Sequence, residues 1–395
     1  MRYSQKFKKI IGEDNWNYVS QIKYTKNNRY IKSLLPEGAK REENFEYSQF
    51  RKLVLDYVNS LKVEDFRYKF SNSALEPNLY ASVYACMLRG LFNDISSEEK
   101  FGWKQFLDGF QRDDGLYQDN AFYNDKYNEG DGWGARHLQG HIIIAYARLG
   151  FVPSKEFAFL HEMNNPDYIV KWLERLDYKK VWGSSNSIMN YGVCLQYARD
   201  FMGMNAGKSI AIMQEWLLSH IRKDCGMWYD GELSSKADCY EAIRGAYHIY
   251  PILVYDGIEL PYAERALEII LKMQNKWGGF DYKISSSACA DIDAVDPMLR
   301  LAIQTDVNKS SIEACVKKAM KWVLANQNGD GGFVFDLCNP FDYGGEKTLY
   351  SKLYESNIFA TWFRVLSILY MENYLGKNKT DFVKIPGYEF PLYIE

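Results

Sequence analysis

A short motif recurs along the chain at a nearly constant interval. The pattern Q-x3-G-x-aromatic occupies residues 111–117, 274–280 and 327–333, and residues 226–228 form a degenerate copy without the glutamine. The glycines lie at 115, 226, 278 and 331, so the period is close to 53 residues. One unmarked copy falls between 115 and 226, and we place it at residues 182–183. Such a period predicts one supersecondary unit repeated along the chain.

Each copy predicts a pair of helices joined by the glycine turn. Amphipathic spacing precedes the turns, at residues 45–61, 103–110, 210–220, 263–273 and 312–325. More apolar helices follow, at residues 77–91, 137–149, 188–197, 241–254, 297–303 and 358–369. Second helices that are apolar nearly all round favour a closed inner ring, so we expect an all-α fold, a single (α/α)6 toroid of about six helical hairpins.

The whole chain, residues 1–395, is expected to form this one domain. It would comprise an N-terminal helical region (1–70), the toroid repeats (71–383) and an extended tail (384–395) that contains two prolines. A net charge of −3 gives no strong attraction to nucleic acid. The longest apolar runs are too short for a transmembrane helix. The seven cysteines are odd in number and form no CxxC pair, which favours reduced thiols and a cytoplasmic protein.

Polar residues cluster where the second helices of the repeats begin. Because every inner helix follows the same turn, these starts should converge on one mouth of the central cavity. Several residues have helical spacing, such as His137 with His141 and Glu241 with Arg244. The candidates for substrate contact are Trp133, Arg136, His137, His141, Asn186, Asn190, Asp238, Arg244, Asp296 and Glu355, with Asn78, Tyr80 and Asn357 at equivalent positions.

Each of these groups also has a structural interpretation. His137 and His141 could be a core pair bonded to backbone carbonyls, and Glu241 with Arg244 could be a structural ion pair. Asp291 and Asp293 could cap a helix that begins at the acids, where the helix dipole favours the carboxylate form. No ligand set for a metal is complete in the sequence, so neither a metal nor a cofactor is expected.

The repeat turns resemble the motif of squalene-hopene cyclase and other class II terpene cyclases, and of the protein prenyltransferases. The sequence around Gly278 and Gly279 resembles the class II cyclases more closely. The two glycines are followed by an aromatic residue, ten further residues and then D-x-D at 291–293. This is similar to the catalytic D-x-D-D region of class II cyclases. The resemblance implies that Asp293, in the central position, protonates an alkene or epoxide. Ala294 departs from that pattern, because it stands where the family has the last aspartate.

Two further departures concern the family as a whole. The chain has length for one toroid, whereas cyclases of this type place their site between two helical domains. The zinc ligands of the protein prenyltransferases, an Asp-x-Cys pair and a histidine, have no counterpart in the matching segments DIDA (291–294) and ESNIFATW (355–362).

Three functions are therefore open. A class II-like isoprenoid cyclase would use Asp293 as the acid, Asp291 beside it, and His248 or His141 as hydrogen-bond partner or base. A carbohydrate-active enzyme (a glycosidase, lyase or epimerase) would pair Asp293 with Glu241 or Glu355. A non-catalytic toroid would only bind. The expected partner is a small molecule, an isoprenoid or a sugar, and a second subunit or a homo-oligomer could close the toroid mouth.

Overall fold

Alternating helices build most of the protein. The computed structural model describes residues 13–119, 121, 134–305, 309–343 and 348–393. A long helix α1 (Glu13–Glu43) precedes six outer helices: α2 (Tyr47–Ser60), α4 (Ser97–Asp108), α6 (Pro166–Glu174), α8 (Gly207–His220), α10 (Ala263–Met273) and α12 (Lys309–Ala325). Six inner helices alternate with them: α3 (Leu79–Leu91), α5 (Ala135–Leu149), α7 (Val181–Phe201), α9 (Lys236–Tyr255), α11 (Ala288–Ile303) and α13 (Ile358–Tyr374).

The inner helices form a closed ring. Each contacts the next in chain order, from α3 through α5, α7, α9 and α11 to α13, and α13 returns to α3. Outer helices pack around this ring, and α1 lies along α12. The inner helices are buried almost from end to end, as the apolar pattern predicts. The predicted all-α toroid of six helical hairpins is therefore confirmed, whereas the domain limits stay a prediction.

Strands are few in the described part of the chain. One antiparallel pair joins β1 (Lys62–Glu64) to β2 (Arg67–Tyr68), and a second joins β3 (Phe341–Asp342) to β4 (Tyr350–Ser351). Short 3-10 turns occur at Ala158–Leu160 and Tyr178–Lys180. No helix among the described residues is long and apolar enough to cross a membrane.

The spacing within the repeat motif has a geometric cause. In each full copy the glutamine side-chain amide donates to the carbonyl of the glycine four residues later, at 3.0–3.2 Å. The glycine adopts positive φ, for example 91° at Gly331. A Cβ on Gly331 would lie 2.0 Å from the carbonyl oxygen of Leu53 in α2. The last turn thus docks on the first outer helix, and this contact helps to close the ring.

The unmarked repeat differs from the prediction. Trp182 and Gly183 lie in the first turn of α7, not in the connection before it. A 3-10 turn capped by Asp177 makes that connection instead. The placement of a glycine turn at 182–183 was therefore wrong: this copy has no Gln–Gly pair, and a short side-chain cap replaces the motif.

Helix α11 also begins earlier than its acids suggest. Ser287 is the N-cap and accepts a hydrogen bond from the backbone N–H of Ala290, so the first helical residue is Ala288. Asp291 and Asp293 consequently lie inside the helix, and neither of them supplies the cap. Asp293 occupies the second turn, beyond the range over which the N-terminal dipole strongly favours a carboxylate. This removes the objection that the helix start would keep Asp293 ionised.

Candidate active site

Asp291 is held by donors on three sides. Arg364 of α13 donates from Nη1 at 2.7 Å, Trp322 of α12 from Nε1 at 2.8 Å, and Ser286 from Oγ at 2.6 Å. The carboxylate and the guanidinium are both almost fully buried. A buried charge pair with its hydrogen bonds satisfied fixes neighbouring elements to each other. Asp291 therefore joins α11 to α12 and α13 and has little capacity left for a substrate.

Asp293 has a different environment on the same helix. It is 3% exposed, and the nearest described cation, Arg244 of α9, approaches to 3.6 Å between Nε and Oδ2. That distance is too long for a hydrogen bond, and Oδ2 has no donor among the described residues. Burial raises the pKa of Asp293 to about 8, although Arg244 opposes the shift and Asp291 adds to it. Asp293 is thus a carboxylic acid that keeps its proton near neutral pH.

Arg244 lies between two carboxyl groups and two aromatic rings. Its guanidinium lies over the rings of Trp182 and Tyr240, at 4.0 and 4.9 Å from their centroids. Glu241 Oε2 is 3.7 Å from Nη1, and Glu241 Oε1 accepts from the backbone N–H of Trp182 at 3.1 Å. Of the two carboxyl groups, Glu241 is the more exposed. The cation is therefore shared between Glu241 and Asp293, and burial is the largest cause of the raised pKa of Asp293.

Three buried histidines face the same region in their neutral form. His248 Nδ1 lies 2.8 Å from the carbonyl oxygen of Arg244, and His141 Nδ1 lies 3.0 Å from that of His137. A carbonyl only accepts, so both Nδ1 atoms carry the hydrogen and both Nε2 atoms are acceptors. Burial lowers the pKa of His248 to about 3 and that of His141 to about 4, and it lowers the pKa of His137 well below its usual value.

Aromatic rings fill the middle of the toroid. Tyr84 packs against His141 with centroids 5.0 Å apart and against Phe359 at 5.4 Å, and Phe359 packs against Phe363 at 4.9 Å. Tyr388, from the segment after the last helix, stacks on His141 at 4.4 Å. Such ring faces attract cations. Asp293 lies within electrostatic range of Tyr240, Tyr247 and Tyr388, so the interior next to it is aromatic.

Three predicted substrate contacts have structural partners. Asp238 forms a capping box with Ser235 at the start of α9. Glu355 accepts hydrogen bonds from the backbone N–H groups of Ser73 and Lys352 and fixes the loop before α13. Asp296 accepts two hydrogen bonds from Arg300, at 2.7 and 2.9 Å. Roles of these residues in substrate binding stay predictions, and their present partners account for their polarity.

The other candidates lie on α5 and α7, with one exception. The guanidinium of Arg136 lies 5.4 Å from the ring centroid of Tyr191. Asn186 donates to the carbonyl of Trp182, and the buried Asn190 lies beside Gly140 of α5. Arg136 and Asn190 thus lie where α5 packs against α7, and α7 in turn packs against α9, which carries Arg244. Trp133 lies outside the described residues.

Several residues in this region gave no signal in the sequence. Arg364 lies within an apolar helix and pairs with Asp291 across 73 positions. Tyr388 and Glu389 belong to a short C-terminal segment with no periodic pattern, yet both are buried. A buried arginine inside an apolar run was the one available clue, since such a charge requires a partner.

One cavity lies elsewhere in the described part of the chain. A cavity of about 720 Å³ lies between the C-terminal ends of α5 and α7 and residues 381–385, away from Asp293. Within the described ranges, no group of three or more His, Cys, Asp or Glu side chains is arranged to hold a metal ion. The site is therefore defined by its side chains.

Comparison with known proteins gives structural similarities only. No protein-family model and no curated protein matches the chain. Two structures of single-residue variants of the type II terpene cyclase MstE from Scytonema are similar. The one bound to geranylgeranyl dihydroxybenzoate is 14% identical, with 75% of this chain and 82% of that chain covered and a TM-score of 0.42. The one bound to merosterolic acid A is 14% identical, with 86% and 99% covered and a TM-score of 0.45.

A third similar structure is a protein from Actinoplanes. It is 12% identical, with 84% of this chain and all of that chain covered, and its TM-score is 0.44. Similarity at this level assigns neither a substrate nor a reaction to the chain.

Proposed function

We propose that the protein is a class II-like isoprenoid cyclase in which Asp293 starts the reaction by protonating an alkene. The observation that carries the proposal is the placement of Asp293: a buried carboxyl group with no donor to Oδ2 among the described residues, within electrostatic range of Tyr240, Tyr247 and Tyr388. A carboxyl group in such a place keeps its proton near neutral pH and is therefore available as a general acid.

The proposed reaction uses only groups of this chain. Asp293 transfers its proton to an alkene carbon, and the π electrons of the next double bond form a new C–C bond to the resulting cation. Tyrosine and phenylalanine faces stabilise the cation as it moves along the chain. The neutral His248 accepts a proton at Nε2 from a carbon next to the final cation. The product is an isomer of the substrate; His248 then releases its proton to solvent, and solvent returns a proton to Asp293.

The arrangement of the carboxyl groups supports a cyclase better than a carbohydrate-active enzyme. Acid–base hydrolysis of a glycoside needs two carboxyl groups on opposite sides of the scissile bond. Asp293 and Glu241 instead share Arg244 on one side, and Glu355 is bonded to the loop at Ser73. Glu372 is also deeply buried without a close donor among the described residues, but it lies in the last turn of α13, 3.7 Å from Lys377 Nζ.

The test is incubation of the purified protein with linear isoprenoids, including geranylgeraniol, its diphosphate, its aryl conjugates and squalene. Mass spectrometry should detect a product of unchanged mass and a different retention time. The variant Asp293→Asn should lose at least about 100-fold in rate, since an amide cannot donate the proton. Asp56→Asn, at an exposed position on α2, serves as the matched control and should keep full activity. Full activity in Asp293→Asn would overturn the proposal.

A further inference from the structure

A cavity lies apart from the proposed active site, and we call it the outer cavity. It has a volume of about 720 Å³ and is bounded by the C-terminal ends of α5 and α7, by Lys104 of α4 and by residues 381–385. Asp293 lies in the second turn of α11 and does not line it. Cavities of this size with mainly apolar walls are typical binding sites for small molecules.

The wall of the outer cavity is mainly apolar. Tyr197 of α7 stacks on Phe201 with ring centroids 4.9 Å apart, and Phe382 and Ile385 line the cavity and are buried. Phe201 and Val152 are each 41% exposed. Large apolar side chains at a surface leave water when a ligand covers them, so this wall favours a ligand with a hydrocarbon chain.

Cations outnumber carboxylates around the outer cavity. Its lining contains Lys104, Arg148 and Lys384 but a single acid, Asp381. Lys104 is paired with Asp108 of its own helix. Lys384, in contrast, is exposed and forms no ion pair within the described part of the chain. The cavity therefore has a free cation at its entrance.

Arg148 supplies a second group for an anion. Its side chain is 5% exposed and Nη2 donates to the buried Glu389, whereas Nε has no acceptor among the described residues. The stem of Arg148 packs on Gly90 of α3, where a Cβ would lie 2.7 Å from the Cβ of Arg148, so the arginine is held in place. A buried N–H without an acceptor favours a further, anionic partner.

The end of α5 opposes an anion only weakly. The C-terminus of a helix carries partial negative charge on its free carbonyls. Here the backbone N–H groups of Gly150 and Phe151 donate to two of the last carbonyls of α5, at 3.1 and 3.0 Å. The full charges of Arg148 and Lys384 therefore outweigh the partial charge of the helix end.

We propose that the outer cavity is a second ligand site and that it binds a free long-chain carboxylate, a fatty acid. The hydrocarbon chain lies against Phe201 and Phe382, and the carboxylate binds to Arg148 and Lys384. Hydrogen bonds from an arginine and a lysine favour a carboxylate over a neutral or a cationic headgroup. The proposal does not rest on the function proposed for Asp293, because the two sites share no residue.

Calorimetric titration of the purified protein with dodecanoate, below the concentration at which it forms micelles, tests the site. One dodecanoate should bind per chain. Decanoate should bind about tenfold more weakly, since two fewer CH2 groups are buried. Dodecyltrimethylammonium, which has the same chain and the opposite charge, should bind at least about tenfold more weakly. Absence of saturable binding, or equal binding of the two headgroups, overturns the proposal.

Two substitutions at exposed positions locate the ligand without disturbing the core. Lys384→Glu reverses the free cation, and Phe201→Asp places a charge in the apolar wall. Each should weaken the binding of dodecanoate by about tenfold or more. Lys171→Gln, at an exposed position on α6, is the matched control and should bind as the wild type does. Unchanged binding in either Lys384→Glu or Phe201→Asp overturns the proposal.

Two further measurements separate this site from the ring interior and from a lipid surface. Asp293→Asn should bind dodecanoate as the wild type does, whether or not the protein is a cyclase. Loss of dodecanoate binding in Asp293→Asn would place the ligand beside Asp293 and overturn the proposal. Binding to vesicles of an anionic phospholipid without binding of monomeric dodecanoate would indicate a membrane surface instead and also overturns it.

Discussion

Asp291 and Asp293 lie two residues apart on α11 and point to opposite neighbours. Two residues correspond to about 200° around a helix. Asp291 consequently meets Arg364 of α13, whereas Asp293 faces Arg244 of α9. Asp291 is hydrogen-bonded to several donors, whereas the buried Asp293 has only a long contact with Arg244, which also contacts Glu241. The same short motif thus supplies a structural residue and the proposed proton donor.

This division predicts opposite effects on stability at pH 7. Asp291→Ala leaves the guanidinium of Arg364 buried and unpaired and should lower the free energy of unfolding by about 3–5 kcal/mol. Asp293→Asn removes no close hydrogen bond and should not destabilise the protein. Urea denaturation of both variants gives the comparison. A loss in Asp293→Asn as large as that in Asp291→Ala would contradict the assignment.

The pKa of Asp293 predicts a specific dependence of stability on pH. The unfolded chain releases this proton near pH 4, but the folded protein keeps it until about pH 8. Between these values the folded state binds more protons, so its stability falls as pH rises, by up to about 1.4 kcal/mol per pH unit from this group. The free energy of unfolding of Asp293→Asn should therefore increase relative to that of the wild type as the pH rises from 5 to 8. If the free energies of unfolding of the wild type and of Asp293→Asn change with pH in parallel, the pKa of Asp293 in the folded protein is near its ordinary value.

The buried histidines predict the opposite slope at lower pH. His248 has a pKa of about 3 in the folded protein and about 6.5 when unfolded. The unfolded state therefore binds more protons below pH 6.5, and stability is lost as pH falls toward 3. His248→Asn should lose less stability than the wild type between pH 6.5 and 4.5 in urea titrations. His220→Asn, at an exposed site on α8, is the control and should follow the wild type.

The glycine turns predict a contrast between two neighbouring positions. Gly331 has a φ of 91° and no room for a Cβ, whereas a Cβ on Gly329 would meet nothing within 4 Å. Gly331→Ala should lower the free energy of unfolding by about 1–3 kcal/mol or more, and Gly329→Ala should change it little. Thermal unfolding of both variants checks this. Equal Tm values would mean that the turn does not help to close the ring.

The sequence predicted the toroid because the repeat is a local signal. Gln327 and Gly331 are four residues apart, and the bond between them is made within one turn. The copy at Trp182 and Gly183 was misplaced because it lacks both residues, and apolar periodicity alone did not locate its helix start. Ser287 was overlooked as the cap of α11 because the three acids after it gave the stronger pattern.

The site was predicted only in part because its contacts are distant in sequence. Asp293 was identified by its motif, but its burial depends on how the ring closes. Arg364 and Tyr388 reach α11 and α5 from the end of the chain, and no periodicity marks such contacts. Asp238 and Glu355 are residue types that sites often use, yet Asp238 accepts hydrogen bonds from Ser235 and from the hydroxyl of Tyr229, and Glu355 accepts one from the backbone N–H of Ser73.

The most direct test of the central claim is cyclisation in D2O. If Asp293 donates the first proton, the acid exchanges with solvent and each product molecule carries one deuterium at the carbon that was protonated. Mass spectrometry should therefore show products about one mass unit heavier from the wild type and from Asp56→Asn, and no labelled product from Asp293→Asn. Product that forms in D2O without deuterium, or labelled product at the wild-type rate from Asp293→Asn, would contradict the account.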